Sequence, residues 1–389
     1  MAWQAVWAIG FGQLVNWGVL YFAFSVLMIP LEQAFDAPRW LVAGAFSFGL
    51  LVSAAAAPTV GRLADRGQGP VVMRAGGLLA AALLIFWTLV PTLLMTYVVW
   101  GALGFCMAAI LYEPVFAIVG RAFADADKRL RAIATVTVMG GLASTAFLPG
   151  TQALVLRFGW RGAVVGLAVV IAATSLLVSR IAFRDLGWST NALRDAFGGQ
   201  SLRTAIPLPG LSRLALIFSI SIVVNAAVVS NLVAALIDRG LGPALAASVA
   251  GMLGLMQLPG RLLMTNRSFT PHPLSLLIFS FALQVAGLIA LMVPGTAAMW
   301  TGVILFASGA GLTTLARPFL VLHQYGADQA GYANGVIARS QQLARAAGPV
   351  AAAAMAAATG YGPVFATCGG LLAAAVVISI TSNQESSHL

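Results

Sequence analysis

Gly61-Arg62-Leu63-Ala64-Asp65-Arg66-Gly67-Gln68-Gly69-Pro70 decides the architecture through what flanks it. On one side lies the apolar run 40–58, on the other the run 71–90. About 20 apolar helical residues cross the roughly 30 Å of a bilayer's hydrocarbon. A charged decapeptide between two such runs is therefore a connection on one membrane face. Its opening recurs: Gly260-Arg261-Leu262 follows another apolar run, 199 residues later.

The rest of the chain has the same character. Hydrophobic residues make up 60% of the 389, charged residues 8%, and mean hydropathy is +0.94. Lipid offers backbone groups no water, so spanning segments are helices or closed barrels, and these continuous runs read as helices. Pro, Gly and charge clusters mark the breaks. They give spans at 3–30, 40–58, 71–90, 93–119, 132–156 and 162–181, then 212–236, 243–263, 273–293, 297–321, 332–358 and 363–382. The expected fold is an all-α membrane protein with twelve transmembrane helices in two pseudo-symmetric six-helix bundles, 1–183 and 212–389. A polar cytoplasmic linker, 184–211, joins them, with an amphipathic turn over 186–197.

Further pairs support a duplication. Glu113-Pro114 is echoed by Arg317-Pro318, Pro149 by Pro349, and Gly159-Trp160 by Gly360-Tyr361, at offsets of 204, 200 and 201 residues. Internal repeats of this kind are a transporter layout, with the substrate site between halves near the membrane midplane.

The formal net charge of +10 does not point to nucleic acid. With Met1 cytoplasmic, most of the 21 basic residues fall in or beside cytoplasmic connections, and Arg39, Arg157, Arg161 and Arg239 lie outside. That is the positive-inside bias, and it sets both termini in the cytoplasm. Cys106 and Cys368 sit within apolar runs and give no disulfide framework. The three histidines have no metal-ligand partner at usable spacing, and no phosphate loop or nucleophile–base pair is present. The expectation is a protein that is not an enzyme and uses no cofactor or metal.

Four charges lie inside spans: Glu113, Arg317, Arg339 and Arg345. Each costs roughly 2.5–3.5 kcal/mol on insertion scales, so such groups face a bundle interior or a wet cavity. Arg339 and Arg345 are about 120° apart around one helix at 100° per residue. Gln341 stacks with Arg345 at i,i+4. A guanidinium offers a carboxylate two parallel hydrogen bonds and stays charged. Arg345 with Gln341 is the candidate anion site. The alternative is that both arginines cap carbonyls of neighbouring helices. Glu113 and Arg317 are candidates for a gate pair or a proton-coupling site, or for a permanent ion pair. Gln13, Asn16, Tyr21, Asn225 and Asn231 are candidate wall residues, or interhelical glue. Trp3, Trp7, Trp40, Trp100, Trp160 and Trp300 near span ends fit interfacial belts.

The stretch from Gly61 to Pro70 resembles the major facilitator superfamily signature G-x-L-A-D-R-x-G-R-K/R. Gly61, Leu63, Ala64, Asp65 and Arg66 match; the next glycine is displaced to Gly69, and Pro70 stands where a basic residue is usual. The resemblance implies alternating access, with helices 1, 4, 7 and 10 lining the cavity. It also implies an inner gate containing Gly61, Asp65, Arg66 and, in the second half, Arg261, which Arg339 would join. Asn16-Trp17-Gly18-Val19-Leu20-Tyr21-Phe22-Ala23-Phe24 with Pro30-Leu31, and Phe158-Gly159-Trp160-Arg161, look like the monocarboxylate-porter and oxalate/formate-antiporter branch. That branch places a cation in helix 8, where this chain has only Arg261 near the cytoplasmic end. The implied function is a secondary transporter of a small organic anion, a monocarboxylate, moved with a proton by a monomer; the Ala-rich, Arg-over-Lys composition points to a bacterial source and so to an inner membrane. The alternative is proton-driven efflux of drug-like or hydrophobic metabolites.

Overall fold

A computed structural model describes residues 2–123, 125–185, 208–259 and 272–386. Within these the chain is helical throughout, as the hydropathy requires. Residues 186–207 of the linker and Gly260-Arg261-Leu262 lie outside the described residues. Two compact units form: residues 1–35 with 48–206, and residues 36–47 with 207–389.

The first unit begins with α1 (Ala2–Trp17), which passes through a π-helical turn, Gly18–Phe22, into α2 (Ala23–Phe35). Helix α3 (Arg39–Leu63) follows, then α4 (Gly69–Trp87), α5 (Leu93–Ile110) and α6 (Tyr112–Ala122). The unit closes with α7 (Ala126–Gly141) and α8 (Ala143–Asp185). The stretch 59–70 differs from its sequence reading as a connection: α3 continues to Leu63, and Ala64–Gln68 forms a second π-turn leading into α4. Pro70 then falls in the first turn of α4, where its missing N–H costs no helical bond.

The second unit contains α9 (Leu211–Asp238), α10 (Pro243–Leu255), α11 (Pro273–Met292), α12 (Thr296–Thr359) and α13 (Tyr361–Ser386). Helix α12 packs against α9 and α11. Its 64 residues would reach about 96 Å at 1.5 Å each, so it cannot be a single pass. It breaks at Gly326, where the sequence suggests a longer connection over 322–331. Near that break Tyr325 Oη donates to Pro209 O at 2.9 Å, tying the middle of α12 to the start of α9.

Nine described stretches are long and apolar enough to cross a membrane. One of them, Arg131–Ala182, runs 52 residues and must cross twice; it breaks at Gly159. With the short helix α10 and the part of α12 after Gly326, the described helices accommodate twelve passes in an all-α membrane protein.

The repeat is visible in the backbone. Gly159 has φ 67° and ψ 176°, and its counterpart Gly360 has φ 78° and ψ 176°. This region is essentially closed to residues with a Cβ. Open space surrounds both positions, so conformation rather than crowding calls for glycine. Pro149 and Pro349 both lie inside helices, ten and eleven residues before these breaks.

The outer aromatics divide. Trp3, Trp7 and Trp40 are exposed, as an interfacial belt requires. Trp100 and Trp160 are buried instead, in a cluster with Phe24 and Trp87 at centroid spacings of 4.8–5.8 Å. Their apolar area is worth more inside the unit, and Trp87 Nε1 finds Thr96 Oγ1 at 3.2 Å.

Candidate functional site

In the first unit the polar residues of α1 gather at a discontinuity. Pro114 has no N–H, so the carbonyl four residues earlier, Ile110 O, loses its helical donor. The chain breaks there: Leu111 is extended at φ −81° and ψ −159°, separating α5 from α6. Two side chains of α1 replace the lost donor. Gln13 Nε2 reaches Ile110 O at 2.6 Å and Asn16 Nδ2 at 3.1 Å. Their i,i+3 spacing puts both on one face of α1. Gln13 is fully buried and Asn16 is 6% exposed, so the bonds form out of water, where an unmet carbonyl is most costly.

Around this break Trp17 meets Tyr112 at 5.0 Å and Tyr21 at 5.3 Å between ring centroids. Gly140 allows α7 to pass over Tyr112, whose hydroxyl occupies the place of a Cβ. Glu113 is the second residue of α6, immediately past the break; its side chain lies outside the described residues.

Removing the cap should be measurable. Gln13→Leu is expected to cost about 1–2 kcal/mol of stability, the worth of a hydrogen bond within a membrane bundle. In a Pro114→Ala background residue 114 supplies its own N–H, and the cost should shrink to near zero. Thermal unfolding of the four proteins of this cycle checks it; equal costs in both backgrounds would mean that proline is not the cause.

In the second unit, α9 and the part of α12 after Gly326 run side by side. Gly348 sets their spacing: a Cβ there would lie 2.6 Å from Val223 O and 2.7 Å from Ala227 N. Below it, Gln341 Nε2 donates to Phe218 O at 3.1 Å. Above it, Asn231 Nδ2 donates to Pro349 O at 3.2 Å and to Ala227 O at 3.0 Å. Arg345 is half-buried between these two anchors, on the same strip as Gln341. Pro349 also leaves the backbone carbonyl of Arg345 without its helical N–H, the relation that Pro114 has to Ile110.

Arg317, from the earlier part of α12, enters the same place. Its Nη1 donates to Gln341 Oε1, and Arg345 is the charge that bears on it electrostatically. Gln341 therefore bridges the Arg317 guanidinium and the α9 backbone, with the like charge of Arg345 four residues further along α12. Like charges in low dielectric repel strongly unless an anion lies between them. The arrangement is suited to binding an anionic group.

The remaining candidates are placed as follows. Asn225 is half-buried on α9 and makes no side-chain hydrogen bond to another described residue. Asn231 is 2% exposed, with its amide donors engaged. Arg339 and Arg66 are exposed. Gly61 is half-buried, with open space where a Cβ would stand. The side chain of Asp65 and all of Arg261 lie outside the described residues.

Two arrangements escaped the sequence reading. Gln284, 1% exposed on α11, donates to Thr313 Oγ1 at 3.0 Å, and Ser280 Oγ shares that hydroxyl at 3.0 Å. Arg39 pairs with Asp238. The first had a signal in the lone glutamine of an apolar span; the second had none beyond two charges in connections.

A family model described as Major Facilitator Superfamily matches residues 6–349. Among curated proteins, Monocarboxylate transporter 13 of Bos taurus is 30% identical over 162 residues, 41% of this chain and 37% of that protein. Human Monocarboxylate transporter 11 is 29% identical over 167 residues, 43% of this chain and 33% of that protein. The matched segment thus spans about a third of these relatives. Among solved structures, the peptide transporter POT in complex with sulfate aligns with a TM-score of 0.72 at 12% identity, covering 99% of this chain and 94% of that one. The human organic anion transporter MFSD10 (TETRAN) aligns with a TM-score of 0.68 at 15% identity, covering 97% and 99%. At these identities the likeness to solved structures concerns the fold.

Proposed function

We propose that this chain, which belongs to the major facilitator superfamily, carries a small organic anion, most simply a monocarboxylate, across the membrane together with a proton. The observation that carries the reading is the meeting of Arg317 and Arg345 around Gln341 on α12. Arg345 anchors the carboxylate through its planar fork. Gln341 fixes its approach, and Asn225, Asn231 and Tyr21 contribute to the wall. Gln13 and Asn16 act by holding the α5–α6 break on which Glu113 sits. Glu113 takes up and releases the proton, since desolvation raises a carboxyl's pKa and a nearby cation lowers it. Arg317 and Arg339 belong to the gate, with Gly61, Asp65, Arg66 and Arg261 on the inner side.

The bundles 1–183 and 212–389 would rock about this site on the linker 184–211, in a monomer of a bacterial inner membrane with both termini cytoplasmic. The names of the curated relatives support the monocarboxylate, and that of one solved neighbour supports an organic anion.

A thermal-shift screen of the purified chain against short monocarboxylates and lipophilic cations, at two pH values, tests the reading. A ligand at about a hundred times its Kd stabilises by about 2.7 kcal/mol. Carboxylates are expected to raise Tm, and more so at the lower pH, as uptake together with a proton requires. Stabilisation by lipophilic cations alone would replace this reading with efflux.

A further inference from the structure

One guanidinium of the first unit stands on a face built to meet lipid. Helix α4 has 19 residues, about 29 Å at 1.5 Å each, close to the roughly 30 Å of hydrocarbon it crosses. Val71, Leu79, Ile85 and Phe86 form an exposed apolar stripe along it. Arg74 lies at the edge of this stripe, exposed, and more than one turn inside the helix end. It makes no hydrogen bond or ion pair to another described residue.

The edge on which Arg74 sits faces α8. Three residues further on, Gly77 lets the two helices touch, and the Ser175 hydroxyl takes the place of a Cβ there. One turn nearer the ends of both helices the space opens into a cleft of about 280 Å³. Arg74 lines it from α4, Thr174, Ser175 and Ser179 from α8, and Asn16 from α1. No carboxylate is among its described lining residues. Thr174 is only 5% exposed, yet its hydroxyl has no hydrogen-bond partner among the described residues. The half-buried Ser175 hydroxyl has none either. Ser179 spends its proton on Ser175 O at 2.7 Å, and Asn16 Nδ2 is engaged with Ile110 O. The donors open to a ligand are therefore those of Arg74, Thr174 and Ser175.

A cation and two hydroxyls around one space call for an anion with several acceptor oxygens, such as a phosphate. Two sources offer one, a phospholipid headgroup and the free ion. The place favours the lipid. An arginine this close to a helix end reaches for the interface, where headgroup phosphates lie. Basic pockets between membrane helices take anionic headgroups in this way. Leu79 and Ile85 then continue from Arg74 toward the bilayer centre as a path for an acyl chain, for which a free phosphate has no use.

We propose that Arg74, Thr174 and Ser175 bind the phosphate of an anionic phospholipid between α4 and α8. The site goes beyond the anion reading, and its test needs no transport substrate. Native mass spectrometry of the purified full chain, titrated with phosphatidylglycerol, measures the Kd of the first bound lipid. Arg74→Gln is expected to weaken it about tenfold, the loss of one charge-assisted hydrogen bond. Arg74→Lys keeps the point charge and should stay within about threefold of the parent. Arg157→Gln removes an exposed arginine elsewhere on α8 and should bind as the parent does. Excess inorganic phosphate should leave the lipid bound. Parent-like affinity in Arg74→Gln would overturn the site, as would equal weakening in Arg157→Gln, which would mean diffuse attraction to surface charge. Displacement by inorganic phosphate would give the cleft to a free anion instead. Should Arg74→Gln fail to fold, Thr174→Val decides: it keeps the shape, loses the hydroxyl, and is expected to weaken binding about threefold, parent-like binding again overturning the site.

Discussion

Arg345→Ala is expected to abolish saturable carboxylate uptake into proteoliposomes while leaving the amount of folded protein unchanged. Hydrogen bonds to charged groups are worth about 1.5–3 kcal/mol each, so losing both bonds of the fork weakens carboxylate binding by roughly a hundredfold or more. Arg345→Lys keeps the charge and loses the planar geometry, and should fall between the two, near a tenfold rise in KM. Folding should survive either change, because Gln341 and Asn231 tie α12 to α9 on both sides of Arg345 without using its side chain. Uptake at the parent KM in Arg345→Ala would remove this residue from the site. It would leave Arg317, held by Gln341, as the remaining cation beside that glutamine.

The second large effect is expected at Gly348. A valine there must displace the backbone of α9, because the obstacles are Val223 O and Ala227 N rather than a flexible side chain. Overpacking of this kind costs about 1–3 kcal/mol and sometimes more. Gly348→Val should lower Tm by several degrees and also impair uptake, since the separation of α9 and α12 decides where Arg345 stands. Gly335→Ala is the control on the same helix. It meets open space and should be neutral or slightly stabilising, as Gly to Ala in a helix generally is. Parent-like unfolding of Gly348→Val would show that the two helices do not approach at this residue.

The sequence by itself determined the membrane class, the all-helical fold, the room for twelve passes and the helix breaks at Gly159 and Gly360. All of these are local properties. Hydropathy over about 20 residues fixes a pass. A missing N–H at Pro114 or Pro349 and a positive φ at Gly159 or Gly360 act within one helical turn. Periodicity also placed Gln341 with Arg345 on one strip of a helix. It was at its weakest over 59–70, where charge suggested a connection and the backbone continued as a π-turn.

Only the tertiary structure decided which polar group meets which. Gln13 and Asn16 reach a carbonyl more than 90 residues away, Arg317 reaches Gln341, and Arg39 finds Asp238 across 199 residues. Such pairings depend on the rotation of each helix about its axis and on the glycines that set interhelical distance. Neither leaves a mark in a hydropathy pattern, because lipid tails and apolar neighbours look alike to a leucine while an orphaned carbonyl is satisfied only by a particular donor at about 3 Å.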